Sequence, residues 1–314
     1  MTQWCTEQFT KAIFFFEFVI VKSCVVWYNA VMKVKVFAKL NITLNVGKKQ
    51  GDFHKINSVA VSVDIFDTVS VTPRQDNQVT VSGMSLPVDK NIAYKAATMF
   101  MQTFGTTGVD ISISKGIPMG AGMGGSSADA AAVVHCMCAL FNVDKHSSQV
   151  HNLCASLGSD VYFMLFGGLG RLYGRGEQVE FDTLLKPLYF ALTTFDHSCS
   201  TKDIYDTFDK CSSNQVYADN GKVMYLLANG QNAFALESQN NFLQYAVSSL
   251  SNYADSYLDS CQRLGYRANM TGSGSAYYVA FDNKEQAQNL VQQLSAEGYN
   301  TTLCSTVPSG IELV

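Results

Sequence analysis

Glycines and serines with the spacing of an anion-binding loop lie near the middle of the chain, where residues 115–134 read KGIPMGAGMGGSSADAAAVV. Glycine lets a backbone approach a polyanion closely, because it has no side chain in the way. Serine hydroxyls follow at the predicted start of an alanine-rich helix, whose N–H groups and dipole favour a bound phosphate. The segment therefore predicts a phosphate site that includes Gly120, Gly122, Gly124, Gly125, Ser126 and Ser127.

A run of glycine and serine is also typical of a flexible linker. Here the run passes directly into ADAAAVVHCMCAL, whose apolar spacing predicts a buried helix with Ser126 or Ser127 at its N-cap. The loop is not a Walker A loop, because no Gly-Lys-Ser/Thr follows it, and its glycine spacing differs from that of dinucleotide-binding loops. The loop by itself therefore indicates phosphate and no particular ligand.

Two charged residues outside the loop have the chemistry that phosphoryl transfer needs. Asp160 lies in LGSDVYF, and Lys39 lies in an apolar strand pattern, where an isolated ammonium needs a partner. Phosphoryl transfer requires in-line positioning, neutralisation of negative charge and a base near the attacking hydroxyl. A carboxylate and a lysine can supply these. An aspartate after Gly-Ser is also common in turns and at helix N-caps, and most lysines are simply solvated.

The composition fits a globular enzyme. The 314 residues suffice for two modest domains, 47% of them are hydrophobic, and the formal net charge is −4. We expect no nucleic-acid partner, because no strongly basic segment is present. The nine cysteines are scattered without a paired C-x-x-C, so we expect buried free thiols in a reducing cytoplasm and no zinc site.

The first 31 residues contain the apolar stretch AIFFFEFVIVKSCVVWYNAV. Glu17 and Lys22 interrupt the stretch, which is shorter than the roughly twenty clean apolar residues of a membrane span, and no small-residue cleavage site ends it. We therefore expect no membrane association. We interpret residues 1–31 as an upstream extension from a misplaced start or as a mobile appendage. Organellar targeting is a weaker alternative, because the segment has no arginine.

The apolar patterns predict the elements that position these residues. Strands are expected over 33–46, 57–82 and VDISISK, and helices over 91–104, 127–141 and 148–157. After Gly176 the pattern predicts a strand at PLYFALTTF, helices near 201–210, 222–229 and 239–264, a strand at AYYVAF, a helix at 284–297 and a closing strand. This order predicts an α+β protein with two domains around one cleft and a boundary near 175–185.

Four ordered motifs give the chain a family resemblance: VKVFAKLNITLNVGKKQGDFHKINSV, the glycine loop, LGSDVYFMLFGGLGRLYGRGE and NMTGSGSAYYVAF. From about Met32 to the C-terminus they resemble the galactokinase, homoserine kinase, mevalonate kinase and phosphomevalonate kinase (GHMP kinase) superfamily. Within it they are most similar to the 4-diphosphocytidyl-2-C-methyl-D-erythritol kinase family. The resemblance implies a ribosomal-protein-S5-like, ATP-binding N-terminal domain over 32–180 and a ferredoxin-like C-terminal domain over 181–314.

The same resemblance implies the reaction and the residues that carry it. The reaction would be ATP-dependent phosphorylation of the 2-hydroxyl of 4-diphosphocytidyl-2-C-methyl-D-erythritol, in the non-mevalonate route to isoprenoid precursors. Asp160 would accept the hydroxyl proton, and Lys39 would stabilise the transferred phosphoryl group. ATP would be bound by Asn91, Lys115, Pro118, Gly120, Ala121, Gly122, Met123, Gly124, Gly125, Ser126 and Ser127. The acceptor substrate would be bound by Asn41, Phe53, His54, Thr201, Tyr205, Gly272 and Ser273.

In this interpretation Phe53 and Tyr205 stack on the cytosine, and a neutral His54 hydrogen-bonds its edge. Mg²⁺ is implied with ATP and would be held by phosphate oxygens and water, with no metal site made by the protein. We expect a small-molecule substrate and a monomer or homodimer.

The chain departs from the family pattern at Ser126, Ala128 and Tyr162, and Tyr162 is close enough in sequence to reorient Asp160. Two alternatives stay open. Another small-molecule kinase of the superfamily would be favoured if the cytosine pocket were absent. The other is a non-catalytic ligand sensor, which would bind nucleotide or substrate without transfer; the retention of both Lys39 and Asp160 counts against it, because a sensor does not need that pair.

Overall fold

The computed structural model describes residues 20–21, 24–25, 30–51, 53–83, 87, 90–197, 200–211 and 216–314. Most of segment 1–31, which we interpret as an extension, lies outside these residues. Within that segment, β1 (Ile20–Val21) and β2 (Cys24–Val25) pair antiparallel. Asp52 of the G-D-F-H motif also lies outside the described residues.

The larger sheet has eight strands, counted over the described residues. Its long central hairpin consists of β3 (Met32–Gln50) and β4 (Phe53–Pro73), which are rich in β-branched residues. The middle parts of both strands, residues 36–46 and 58–63, are buried on both faces. Further strands are β5 (Val79–Ser82), β6 (Val109–Ser114), β7 (Leu169–Gly174) and β8 (Gln178–Asp182). The short β10 (Asn240–Asn241) and β14 (Ile311–Leu313) both pair with β3.

Four helices accompany this sheet: α1 (Ile92–Phe104), α2 (Gly125–Leu140), α3 (Ser148–Leu157) and α4 (Val161–Phe166). The helix α2 contacts β3, β4 and the other three helices. Its apolar residues lie on all sides, which is typical of a helix at the centre of a core. The phosphate loop is therefore joined to the most deeply buried helix of this half.

A second sheet has four antiparallel strands in the order β11 (Asn269–Met270), β12 (Tyr277–Phe281), β9 (Tyr189–Thr193) and β13 (Thr301–Ser305). The remaining helices are α5 (Thr201–Phe208), α6 (Asn220–Ala228), α7 (Asn232–Leu236), α8 (Leu243–Leu250), α9 (Asp255–Arg263) and α10 (Lys284–Ala296). Tyr257, Tyr277 and Leu290 belong to a second apolar core. This mixture of sheets and helices confirms the α+β class.

Several predicted elements need correction. The expected N-cap at Ser126 or Ser127 is wrong, because Gly124 in a left-handed conformation (φ 78°) starts α2 and both serines lie in its first turn. The single helix predicted over 239–264 is wrong, because extended backbone at Ser251 separates α8 from α9. The strand predicted over 57–82 is two strands, because the chain turns at Asp76, which accepts hydrogen bonds from Arg74 and the Gln78 N–H.

The C-terminal half also contributes to the first sheet, through β10 and β14. The domain boundary between residues 180 and 181 stays a prediction. Six cysteines of the described part are free thiols, five of them buried, as expected. No helix in the described part of the chain is both long and apolar enough to cross a membrane.

Candidate active site

The glycine-rich loop lines a cavity of about 260 Å³ between β6 and α2. Thr201, Ser273 and Gly274, all from the C-terminal half, line the same cavity. Of the predicted ATP-binding residues, the structure brings together Lys115, Pro118, Gly120, Ala121, Gly122, Met123, Gly124, Gly125, Ser126 and Ser127. Asn91 does not line this cavity: it is buried at the N-cap of α1, where its amide oxygen accepts the Ala93 N–H at 2.9 Å, and its place near the adenine stays a prediction.

The loop requires glycine because a second loop, residues 271–275, crosses it closely. Gly122 has φ 75°, and a Cβ atom there would lie 2.2 Å from the Thr271 carbonyl oxygen. The Ser275 N–H donates to the Gly120 carbonyl and the Ala276 N–H to that of Ala121, both at 3.2 Å. Gly124, the N-cap residue of α2, has no side chain that could accept hydrogen bonds from the first turn of the helix. The backbone N–H groups of that turn are therefore suited to an anion.

Lys39 and Asp160 lie together beside this loop. The Nζ atom of Lys39 is 3.6 Å from Oδ2 of Asp160, and a Cβ atom on Gly124 would lie 3.3 Å from Cγ of Lys39. The Lys39 side chain is 5% exposed and that of Asp160 28%. Asp160 is the N-cap residue of α4, but its side chain makes no cap hydrogen bond. The carboxylate therefore faces the lysine, and the simple N-cap alternative does not hold.

Asn41 orients the lysine. Its amide oxygen accepts hydrogen bonds from Lys39 Nζ and from the Gly272 N–H at 3.0 Å, and its Nδ2 donates to Ser58 Oγ at 2.8 Å. The backbone N–H of Asn41 donates to Thr271 Oγ1 at 3.1 Å. These bonds tie β3 to the 271–275 loop, which is a turn between β11 and β12 that includes Gly272 and Ser273. The contact of Asn41 with substrate stays a prediction.

His54 lies in an aromatic corner between β4 and α5. The rings of Tyr205 and Phe208 lie 5.0 and 5.8 Å from its ring. Its Nε2 is 3.0 Å from Oδ1 of Asp209, and it must donate because a carboxylate only accepts. Burial lowers the pKa of His54, and Asp209 opposes this shift, so the imidazole is neutral near pH 7. Phe53 is 56% exposed, and the Arg175 guanidinium lies 5.0 Å above its ring.

The helix α5 connects this corner to Asp160 and the glycine loop. Burial, with a contribution from the Asp160 carboxylate, raises the pKa of Tyr205 to about 12, so the phenol keeps its proton. At the start of the helix, the Thr201 and Ser273 hydroxyls lie 3.0 Å apart. One helix therefore brings Thr201 to the phosphate cavity and Tyr205 to the corner around His54.

Sequence reasoning missed Asp67 and Asp209. The Asp209 carboxylate fixes His54, and Asp67 is a buried partner of Lys115. Asp67 could have been found from the sequence, because it is a charged residue within the apolar strand pattern VAVSVDIFDTVSV. The same kind of pattern identified Lys39. Tyr162 packs its ring against His151 at 4.5 Å and against Phe166 at 5.1 Å.

Comparison with known proteins gives the family. The model of the GHMP kinases N terminal domain matches residues 91–168, and that of the GHMP kinases C terminal domain matches 224–300. A 4-diphosphocytidyl-2-C-methyl-D-erythritol kinase of Clostridium acetobutylicum is 30% identical over 283 residues, 88% of this chain and 100% of that protein. The enzyme of the same name from Prosthecochloris aestuarii is 31% identical over 273 residues, 84% and 94% of the two chains. The chain belongs to the 4-diphosphocytidyl-2-C-methyl-D-erythritol kinase family of GHMP kinases.

Solved structures agree on the fold. A crystal structure of 4-(cytidine 5'-diphospho)-2C-methyl-D-erythritol kinase has a TM-score of 0.71 at 24% identity and covers 87% of this chain and 98% of that one. Homoserine kinase from Cytophaga hutchinsonii has a TM-score of 0.68 at 16% identity, covering 94% and 100%. The predicted GHMP kinase fold is confirmed. As a member of this family, the chain is a phosphotransferase that uses ATP and acts on an alcohol group.

Proposed function

We propose that this kinase transfers the γ-phosphoryl group of ATP to the 2-hydroxyl of 4-diphosphocytidyl-2-C-methyl-D-erythritol, the compound for which its relatives are named. The observation that carries the proposal is the buried Lys39, 3.6 Å from Asp160, beside an uncapped helix start lined with glycine. A ligand sensor would have no use for this pair.

The cavity fits the phosphates of ATP. Gly120, Gly122, Gly124 and Gly125 line it with backbone and no side chains, and the first turn of α2 offers N–H donors. The described residues hold no cluster of three or more His, Cys, Asp or Glu side chains suited to a metal. Mg²⁺ would therefore be held mainly by phosphate oxygens and water, and when bound it would neutralise part of the phosphate charge.

The transfer step uses one base and one cation. The acceptor 2-hydroxyl gives its proton to the Asp160 carboxylate as its oxygen bonds to the γ-phosphorus. The bond from the γ-phosphorus to the bridging oxygen breaks, and ADP leaves with that electron pair. The Lys39 ammonium, held by Asn41 and Asp160, faces the charge that develops on the transferred group.

The corner around His54 suits the cytosine. With its Nε2–H given to Asp209, the neutral imidazole keeps Nδ1 as an acceptor, and this buried atom has no partner among the described residues. The 4-amino group of cytosine is a donor, whereas uracil has a carbonyl oxygen at that position. Phe53 and Tyr205 would supply the aromatic faces. The cytoplasmic location and the monomeric or homodimeric state stay predictions.

Acceptor specificity tests the proposal. ADP release would be measured with ATP, Mg²⁺ and one acceptor at a time: 4-diphosphocytidyl-2-C-methyl-D-erythritol, mevalonate, homoserine or galactose. We expect turnover with the first alone. Turnover with another acceptor would keep the kinase and reject the cytosine pocket, whereas ATP binding without any turnover would favour the sensor.

A further inference from the structure

A buried charge cluster lies under the phosphate loop and takes no part in the proposed transfer step. Its members are Asp67 on β4, Lys115 after β6 and Asp129 on α2. The Lys115 Nζ atom contacts Asp67 Oδ2 and lies 2.8 Å from Asp129 Oδ2. Both carboxyl side chains are almost completely buried, 0% and 2% exposed, whereas the Lys115 side chain is 20% exposed and lines the cavity.

The two carboxyl groups differ in the number of hydrogen bonds that their oxygens accept. Oδ1 of Asp67 accepts the N–H groups of Gly116 and Ile117 at 2.7 and 2.8 Å, and its Oδ2 accepts from Lys115. Asp129 accepts only from Lys115, and its Oδ1 is buried with no hydrogen-bond partner among the described residues. The Asp67 carboxyl group also lies within hydrogen-bond reach of Asp129, which favours a proton between the two. Asp129 is therefore the carboxyl group of the cluster that is more costly to keep ionised.

The charge count leads to the same result. Two ionised carboxylates and one ammonium leave a net charge of −1 in a buried place, which is costly. A proton on Asp129 makes the cluster neutral. In agreement, burial raises the pKa of Asp129 to about 7 against the opposing effect of Lys115.

Other elements packed on α2 contribute no further charge close to Asp129. The buried residues of α1, α3 and α4 carry no charge: Ala93, Ala96, Ala97 and Phe100 on α1, Val150, Leu153, Cys154 and Leu157 on α3, and Val161, Phe163, Met164 and Leu165 on α4. On β3, Lys39 contacts Asn41 and Asp160 instead. Within the described part of the chain, the charged groups that act on Asp129 are thus Asp67 and Lys115.

The cluster lies next to the place where phosphates would bind. The Lys115 Nζ atom is 3.6 Å from where a Cβ atom of Gly125 would lie, at the first residue of α2. A phosphate at this helix start would repel an ionised Asp129, and it would also draw the ammonium away from that carboxyl. Both effects favour a proton on Asp129.

We infer that Asp129 is a positioning residue of the nucleotide site: acting through Lys115, it takes up a proton when nucleotide phosphates bind, which leaves the lysine charge to them. This inference rests on the proposed function, because it takes ATP and ADP as the ligands of the loop. The proton comes from solvent and returns there when the nucleotide leaves.

The test is proton-linked binding of ADP. Calorimetric titrations at pH 8 in two buffers of different ionisation enthalpy give the number of protons taken up, and at this pH the terminal phosphate is already ionised. We expect the wild-type chain to take up between half a proton and one proton, and its ADP dissociation constant to rise about tenfold between pH 6.5 and 8.5. Asp129→Asn keeps an oxygen for Lys115 and should abolish both effects. Asp182→Asn makes the same change of net charge on an exposed residue and should retain both.

The possible results distinguish a failure of this inference from a failure of the proposed function. ADP that binds the wild-type chain at pH 8 without proton uptake overturns the inference, even if Asp129→Asn does not fold. Equal uptake by the wild type and Asp129→Asn also overturns it. A wild-type chain that binds no ADP at any pH would instead contradict the proposed function.

Discussion

The two sides of the cleft are built in different ways. The proposed nucleotide side is a continuous segment, residues 115–127, that leads into the buried helix α2. The acceptor side is assembled across the chain: Asn41 bonds Thr271, His54 bonds Asp209, and Thr201 bonds Ser273. A continuous segment can be recognised from its own amino-acid sequence. Contacts between distant residues can be found only after the chain has folded.

Asp160 joins the two sides, so its replacement has the largest expected effect. Asp160→Asn removes the proposed base and leaves the glycine loop intact. We expect kcat to fall by about two to four orders of magnitude, with the ADP dissociation constant within about twofold of wild type. Steady-state ADP release and ADP calorimetry measure the two quantities. Asp182→Asn, an exposed carboxylate on β8, should change neither. Near-normal kcat in Asp160→Asn would remove this residue from the mechanism.

Gly122→Ala acts where the loops of the two sides cross. The new methyl group would meet the Thr271 carbonyl at 2.2 Å on a residue with φ 75°, so we expect a loss of about 3 kcal/mol in the free energy of unfolding. Gly105→Ala is the matched control, because φ is 66° but nothing lies within 4 Å of the added atom. It should cost only about 1 kcal/mol. If urea unfolding gave equal losses of unfolding free energy for Gly122→Ala and Gly105→Ala, the two loops would not be in close contact at Gly122.

The pH dependence of stability tests whether the buried Asp129 carboxyl group below the glycine loop holds a proton. The folded protein holds the Asp129 proton up to about pH 7, whereas the unfolded chain loses it near pH 4. Unfolding between these values releases a proton, so stability falls as the pH rises. Relative to Asp129→Asn, the wild-type free energy of unfolding should drop by about 2 kcal/mol between pH 5 and 7. Parallel curves for the two proteins would refute this expectation.

Tyr205 tests the acceptor side alone, and its effect should be the smallest of these. Tyr205→Ala removes an aromatic wall beside His54 and should raise KM for the cytidylyl acceptor about tenfold. KM for ATP should stay near normal. Tyr225→Ala, on an exposed ring of α6, is the control and should leave both constants unchanged. A comparable rise in KM for ATP would mean that the two sides are not separate.

Much of the site could be predicted because the relevant signals are local. The glycine loop and the helix after it are contiguous, and Lys39 is identified by its charge in an apolar strand. The start of α2 was misplaced, because Gly124 uses a left-handed conformation that the serine-based N-cap rule does not consider. The strands β10 and β14 are short and join the sheet through pairing with β3, so their own sequence carries little signal.

The partners of the functional residues were harder to predict. Asp209 lies at the C-terminal end of the amphipathic helix α5, and only the fold brings it within 3.0 Å of His54. Asn91 was expected at the adenine and lies at the N-cap of α1, a position for which asparagine is also well suited. The family role and the local structural role therefore give different expectations for the same residue.

The most direct test of the account is a product measurement with both substrates present. Phosphorus NMR would follow wild-type protein and Asp160→Asn with ATP, Mg²⁺ and 4-diphosphocytidyl-2-C-methyl-D-erythritol. We predict one phosphorylated 2-hydroxyl for each ADP formed by the wild type, and neither product from Asp160→Asn over the same time. ADP formed with free phosphate and no phosphorylated acceptor would contradict the account, because the two sides of the cleft would then not meet over one reaction.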